Sequence, residues 1–521
     1  MALVSAKEQE IFERRGVFEA VLRLALPTVA GQIILVIYNM ADTFFVGLAG
    51  SAAMLTAVTV CMPGFMVLSA IANLFGIGGG SVMARALGNG DMERGKKAAS
   101  FAFWGCLAVC LGYSGLMFLV RHRAVDLLGG SHPKVHPPAV EYLTVTVCLG
   151  GAATGMSMLL SHLLRSQGRS LAAGAGIALG GVMNITLDPL FMFYLLPPGR
   201  EALGAAIANA LSNGIALVFL ALAVAFPGKK PRLRFPIQQA AGGDGVIKAV
   251  LISGAPACMM TLMENASYAV LDKLMSFHGV HAQAAVGVAK KVNMLAHCLV
   301  RGIAQGALPL IAYNYGAGKL ERMSRAFRCA CTLAVGAALV CMTASLIFAR
   351  DLVGLFIRSQ PDAERLAVLF LRILCVGGPF SALAYTVISF FQAVGKGPHS
   401  VALALLRKGL VDIPLMFLLG AGMHMTGLVL ATPLTDVVCS AAAGTMFIHS
   451  LKKWFPPEAD PAAEPGRSEE EDTNDGHKTA LPAAGDRDRQ LHQGGGEPVA
   501  DPAGGKPAHP PAGGGVRGKA L

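Results

Sequence analysis

Apolar residues along this chain gather into runs far longer than those of a soluble domain, separated by short polar loops. Twelve runs, at 18–46, 53–80, 98–120, 139–160, 171–194, 203–226, 249–276, 284–312, 329–349, 366–392, 409–423 and 427–450, are each read as a helix crossing the hydrocarbon layer. A helix needs about 20 apolar residues to cross roughly 30 Å of hydrocarbon, and the eleventh run is the shortest. Loops after even-numbered runs hold eighteen lysines and arginines, Arg85, Arg165, Arg407 and Lys408 among them, whereas loops after odd-numbered runs hold seven. That bias marks the cytoplasmic face, so both termini are expected there, and an even number of crossings agrees.

The pattern also repeats. Leu87-Gly-Asn-Gly-Asp-Met-Glu-Arg94 matches Tyr315-Gly-Ala-Gly-Lys-Leu-Glu-Arg322 at an offset of 228, and Pro27 matches Pro256 at an offset of 229. Gly204 to Leu211 echoes Gly427 to Leu434, and Asp188-Pro189 has a looser counterpart in Asp412-Ile413-Pro414. Each unit holds six crossings, so both insert the same way up, as a parallel repeat about an axis along the membrane normal. The expected fold is an all-α integral membrane protein with twelve transmembrane helices in two pseudo-symmetric six-helix bundles. Residues 1–235 form the first lobe with its basic cytoplasmic linker, and residues 236–455 form the second. Residues 456–521, with Ser468-Glu-Glu-Glu-Asp472 and two triple-glycine stretches, are too poor in apolar residues to build a core and read as a disordered cytoplasmic tail.

Composition agrees with a bilayer protein. Of 521 residues, 54% are hydrophobic and 14% charged, with a mean hydropathy of +0.55. Soluble domains carry about 25% charged residues. The net charge is +11, and from Leu451 onward nine basic and twelve acidic residues leave +14 for the preceding 450. That excess sits in short loops rather than on one aromatic-studded face, which argues against nucleic acid as a partner. Met1 to Arg15 is polar and mixed in charge, and no cleavable signal peptide is expected. Eleven scattered cysteines, with Cys106/Cys110 and Cys329/Cys331 as close pairs in apolar helices, read as small packing residues rather than a disulfide framework or a zinc site.

Against this background a few polar residues inside the apolar runs stand out. Asn184 and Asp188 lie four residues apart and share a helix face. An ionised acid near the bilayer centre costs on the order of 3 kcal/mol, so such a residue is either paired structurally or functional. Span 1 adds Tyr38, Asn39 and Asp42 on one face, and span 6 adds the amides Asn209 and Asn213. Two carboxylates with amide neighbours, shielded from water, suit one proton or one monovalent cation, whose arrival relieves both burial and mutual repulsion. In the second lobe Glu264-Asn265 lies mid-span, and Lys290, Lys291 or Arg301 of span 8 either pairs with Glu264 or faces an aqueous cavity. Asp272-Lys273 reads as a mutually screened pair nearer the surface.

Other signals fail. Gly90 to Lys97 has phosphate-loop spacing, but Lys97 stands where the magnesium-binding Ser or Thr belongs, and no strand precedes it. Gly76 to Gly80 reads as close helix packing. His132 and His136 flank Pro133 in an outer loop and read as surface histidines. No H-E-x-x-H or G-x-S-x-G is present, and the one D-x-D, Asp486-Arg-Asp488, lies in the tail, so no metal site and no enzyme is expected.

The ordered set formed by the six-plus-six repeat, Pro27, Asp42-Thr-Phe-Phe-Val-Gly47, Gly88 to Arg94, Asn184 to Pro189 and Pro309-Leu-Ile-Ala-Tyr-Asn314 resembles the multidrug and toxic compound extrusion (MATE) antiporters, bacterial multidrug branch, over residues 15–450. The resemblance implies a V-shaped pair of bundles that opens alternately to either side. It further implies export of cationic or amphipathic organic compounds in exchange for H⁺ or Na⁺, with no other cofactor, by a multi-pass protein of the bacterial inner membrane, expected as a monomer. It assigns cation binding to Asp42, Asn184, Asp188 and Asn209, the last standing where relatives often have Thr. Tyr38, Asn39, Asn213, Glu264 and Asn265 are candidate cavity residues, and Pro27 is the candidate hinge. Glu264 matches the span-7 acid of a branch with a second-lobe cation site. The span-10 acid of that branch has no counterpart between Gly377 and Gln392. The competing reading is a lipid or oligosaccharide flippase of the same superfamily, which calls for a strongly cationic cavity. A membrane enzyme is more distant, and a receptor or scaffold gives no reason to bury acids.

Overall fold

Inside hydrocarbon every backbone N–H and C=O must be bonded within its own segment or a closed barrel, so the long apolar runs fold as helices. The computed structural model describes residues 6–48, 52–226, 233–240, 243, 245–357 and 361–454. The tail, 456–521, lies outside the described residues, as does part of the basic linker. Spans 1 to 3 are Val17–Leu48, Ala52–Gly88 and Met92–Leu127. Span 4 is bent by 46° between His136–Leu149 and Gly151–Ser166. Span 5 is Ser170–Leu195, and span 6 is Glu201–Ala225. Spans 7 to 9 are Val246–Ser276, Val280–Gly316 and Leu320–Ile347. Span 10 is bent by 44° between Pro361–Val376 and Gly378–Val394.

The last apolar helix, Gly397–Leu451, holds 55 residues, more than twice the roughly 20 a crossing needs. It breaks at His424 (φ 52°, ψ −133°), which divides it into spans 11 and 12 and brings the described crossings to twelve.

Eleven spans fall close to the apolar runs, and span 11 differs. It begins at Gly397 rather than 409, because Arg407 and Lys408, which break the hydropathy pattern, are only 1% and 2% exposed inside the helix bundle. Each has a carboxylate partner, and pairing is what allows a cation to sit within a span. Removing these two from the loops leaves sixteen basic residues against seven, so the bias keeps its sign.

Spans 1, 5 and 6 and spans 2, 3 and 4 pack together in the amino-terminal half, and the equivalent pairs recur in the carboxy-terminal half. Spans 7 and 8 cross to spans 2 and 1. The Leu87–Arg94 repeat becomes a turn used twice, with Gly90 at φ 77° and Gly318 at φ 69°. In the first copy Asp91 caps span 3, its Oδ1 accepting from the Arg94 N–H at 2.9 Å. The same repeat supplies a reciprocal contact between spans 2 and 8. A Cβ at Gly88 would lie 2.0 Å from the Tyr313 carbonyl oxygen, and one at Gly316 would lie 2.0 Å from that of Arg85. Only glycine permits backbones to approach so closely. The glycine run at 76–80 works similarly, with Gly78 against the Val250 carbonyl of span 7.

The short helix Ala6–Glu13 lies over this end of the bundle. Phe12 stacks on Tyr313 with centroids 4.9 Å apart, and Arg322 donates to the carbonyls of Phe12 (2.9 Å) and Arg15 (2.7 Å). The Tyr313 hydroxyl donates to Glu13 and holds that carboxyl below the usual glutamate range. All eleven cysteines are free, and the Cys106 and Cys110 sulfurs lie 3.9 Å apart. His136, expected in the outer loop, is the first residue of span 4 and stacks on His122, with ring centroids 5.4 Å apart.

Candidate functional site

Span 1 and span 5 pack face to face, which brings Asp42 beside the Asn184/Asp188 pair. Gly174 makes the close packing possible, because a Cβ there would lie 2.3 Å from the Pro27 carbonyl oxygen. Asp42 is 4% exposed, Asp188 0% and Asn184 1%. Asn184 Nδ2 donates to Asp188 Oδ1 at 3.3 Å, as the i, i+4 spacing requires. Asp42 and Asp188 are near enough to repel one another, and the charge of both reaches Tyr38 and Tyr142. Three oxygens of this group, Asp42 Oδ1, Asn184 Oδ1 and Asp188 Oδ2, are buried without a hydrogen-bond partner among the described protein atoms. Buried polar atoms are usually satisfied, so three together form an acceptor-rich pocket fit for a proton or a monovalent cation.

Asn209 is also buried, but its Oδ1 accepts from Asn213 Nδ2 at 3.1 Å. Among the described residues no hydrogen bond links it directly to either acid. Pro27 lies within a continuous helix, and its missing N–H leaves one rung of the ladder unmade.

A cavity of about 360 Å³ opens between the two halves. Tyr38, Asn39, Asn213, Glu264 and Asn265 all line it, whereas Asp42, Asn184, Asp188 and Asn209 sit behind its wall. Its polar side chains include Arg165, His162, His297 and Arg301 alongside apolar residues such as Phe65, Met158 and Met294. This mixture suits an amphipathic molecule, since apolar side chains cover one part of it while the many polar groups set orientation.

The carboxy-terminal half is built differently. Arg301 Nη2 donates to Glu264 Oε2 at 2.7 Å and to the Tyr385 hydroxyl at 2.8 Å. Arg407 Nε donates to Asp436 Oδ1 at 2.9 Å, and its Nη2 donates to Ser381 Oγ at 2.5 Å. Lys408 Nζ lies 3.1 Å from Asp412 Oδ2, which also accepts from Ser267 Oγ at 2.6 Å. Arg301 and Arg407 both stand over the Tyr385 ring. Asp272 pairs with Lys290 of span 8, not with its neighbour Lys273, which lies over the Phe277 ring. Lys291, also of span 8, interacts electrostatically with Asp42 across the interface of the halves.

Arg165, Arg407 and Lys408 are polar residues that the hydropathy pattern placed in loops, His162 and Asp436 are ones it passed over, and Asp412 was marked only as a counterpart of Asp188. The Lys408/Asp412 spacing, four residues apart like Asn184/Asp188, is the signal that could have found that pair. Among the described residues no cluster of three or more His, Cys, Asp or Glu side chains could hold a metal ion.

Comparison with known proteins bears on this arrangement. The chain is 26% identical over 449 residues to the multidrug export protein MepA of Staphylococcus haemolyticus (strain JCSC1435), covering 86% of this chain and 97% of that one. It is likewise 26% identical to MepA of Staphylococcus aureus (strain NCTC 8325 / PS 47), covering 83% and 94%. Among solved structures it matches the outward-facing conformation of a MATE family multidrug resistance transporter with a TM-score of 0.77 and 22% identity, over 86% of this chain and 99% of that one. The fold is therefore the two-bundle, V-shaped all-α membrane architecture. The MatE family model matches residues 27–190 and again 256–418, one segment in each repeat and together more than half of the sequence. The chain belongs to the MatE family.

Proposed function

We propose that this MatE-family protein is a secondary active transporter, not an enzyme, which exports cationic or amphipathic organic compounds in exchange for H⁺ or Na⁺ by alternating access. The three partnerless buried oxygens of Asp42, Asn184 and Asp188 carry this reading. Two acids kept in a bilayer with only the distant charge of Lys291 to offset them, and with oxygens left unpartnered, are poised to take up a cation and to release it when the surroundings change. Asn209 of span 6 is the fourth member of the ion site, held by its hydrogen bond to the Asn213 amide rather than by either acid, and Pro27 is the point at which span 1 bends as charge is neutralised. The compound occupies the cavity lined by Tyr38, Asn39, Glu264 and Asn265, apart from the ion, so the two sites are coupled through span 1. Residues 1–235 and 236–455 are the two moving halves. The protein acts as a monomer in the bacterial inner membrane with both termini in the cytoplasm. Its resemblance to multidrug export proteins supports a broad substrate range.

The flippase alternative asks for free cationic groups around a diphosphate. Arg301 and Lys290 are already engaged by Glu264 and Asp272, and Lys291 lies within electrostatic range of Asp42. This leaves Arg165, bonded to Ser161 and Gln305, as the arginine of the cavity wall without an acid partner among the described residues; one such group is fewer than a diphosphate needs, which weighs against it. Efflux of a fluorescent organic cation from proteoliposomes, driven separately by a pH or an Na⁺ gradient, tests the antiport reading. Asp188→Asn should reduce gradient-driven efflux at least tenfold, and unchanged coupled transport in that variant would refute the assignment.

A further inference from the structure

The repeat relates the two halves residue by residue, and the comparison exposes a substitution of function. An offset of 224 carries Asn184 and Asp188 onto Lys408 and Asp412. An offset of 223 carries Asn209 onto Thr432, and the 229 offset of the span-1 proline carries Asp42 onto Leu271 and Tyr38 onto Ser267. The side chains obey this correspondence. Asp412 accepts from Lys408 (3.1 Å), Ser267 (2.6 Å) and Thr432 (3.2 Å), so both of its oxygens are satisfied. In the first half, among the described residues, Asp188 has only the Asn184 amide, and its second oxygen has no partner. The second acid of the first half is replaced by a fully apolar residue, since Leu271 is buried in the core of the other half.

We propose that Lys408 is a tethered counter-ion: its ammonium takes, in the carboxy-terminal half, the position that the coupling cation takes in the amino-terminal half. The chain therefore exchanges ions through one half only, and the second half holds a latent cation site closed by its own side chain. This rests on the reading that Asp42 and Asp188 bind the coupling ion. The geometry gives the reason why a lysine suffices. A four-carbon stem anchored one helical turn before the acid reaches it along the same face, so the cation is held permanently and at high effective concentration. With Leu271 in place of a second carboxylate, the group is neutral as a pair and needs no further charge. An arriving Na⁺ or proton would have to displace an ammonium that cannot leave.

The test uses the full-length protein purified in detergent, with thermal unfolding measured in NaCl, LiCl and choline chloride and at pH 5.5 and 8, roughly a unit or more either side of neutrality. Asp42→Asn/Asp188→Asn should lose ion-specific stabilisation. Adding Lys408→Asn should lower the midpoint and make it rise by a few degrees with Na⁺, Li⁺ or acid, as a ligand that binds only the folded state does. Adding Asp412→Asn should abolish that rise. The proposal is overturned if the Lys408→Asn protein responds identically in all salts and at both pH values. It is also overturned if the protein fails to fold in every condition while Lys408→Asn/Asp412→Asn folds, since the acid then accepts no mobile ion. Residual saturable Na⁺ or acid stabilisation in Asp42→Asn/Asp188→Asn, with Lys408 intact, overturns it without reference to any Lys408 variant. Equal ion dependence of the wild type and Asp188→Asn would instead sink the first-half assignment and leave the Lys408 result to stand separately.

Discussion

The two halves of this molecule descend from one pattern and treat buried charge in opposite ways. In the amino-terminal half Asp42 and Asp188 lie close together and, among the described residues, form no ion pair with a base of their own bundle, while Lys291 acts on Asp42 electrostatically from across the interface. In the carboxy-terminal half Glu264, Asp412 and Asp436 each have a dedicated base, namely Arg301, Lys408 and Arg407. A buried ion pair contributes little net stability, but removing one member leaves a charge that water cannot reach. The second arrangement therefore fixes structure, and the first leaves its charge available to something that comes and goes. Similar composition gives one half that is locked and one that is loaded.

The same substitution made in both halves should break this symmetry most sharply. Asp412→Asn or Asp436→Asn leaves Lys408 or Arg407 buried and unpaired, which should cost about 3–5 kcal/mol. Thermal unfolding in detergent and the yield of folded protein from membranes would report it. By contrast, Asp188→Asn removes no charged partner and relieves repulsion from Asp42. Its stability should stay within about 1 kcal/mol of wild type even as coupled efflux disappears. Comparable losses of stability in the two halves would remove the distinction. A smaller effect is expected at the reciprocal contact of spans 2 and 8. Gly316→Val places a side chain where only a carbonyl fits and should cost about 1–3 kcal/mol in this closed arrangement. Cysteine labelling at the Tyr313 end should then increase. The smallest effect on transport should follow Glu264→Gln, because Arg301 keeps the Tyr385 hydroxyl. Substrate preference should shift a few-fold, at a stability cost of about 1–2 kcal/mol, with the ion dependence of transport unaltered. A lost ion dependence would move Glu264 from the cavity to the coupling site.

Much of this was legible in the chain itself. The apolar runs locate eleven spans because lipid permits few alternatives to a helix. Asn184 and Asp188 stand out because their cost is high and their spacing puts them on one face. The repeat at Leu87–Arg94 was visible as letters, but its meaning as a mutual carbonyl-to-glycine contact depends on how two helices cross, which no linear spacing encodes. Arg407 and Lys408 escaped for a related reason. Hydropathy scores each residue alone, whereas a cation is tolerated in a span only by virtue of a carboxylate, and Asp436 lies 29 positions beyond Arg407. Asp272 likewise found Lys290 on another helix instead of its neighbour in sequence, because adjacent helical residues point in different directions.

The break at His424 has a mechanical consequence. With a single non-helical residue between them, spans 11 and 12 have no slack, and the brief turns around Gly90 and Gly318 tie spans 2 to 3 and 8 to 9 almost as tightly. Such hairpins can tilt or slide only as joined pieces. Displacement of one half against the other therefore moves whole hairpins, not single helices, past each other where spans 2 and 8 cross.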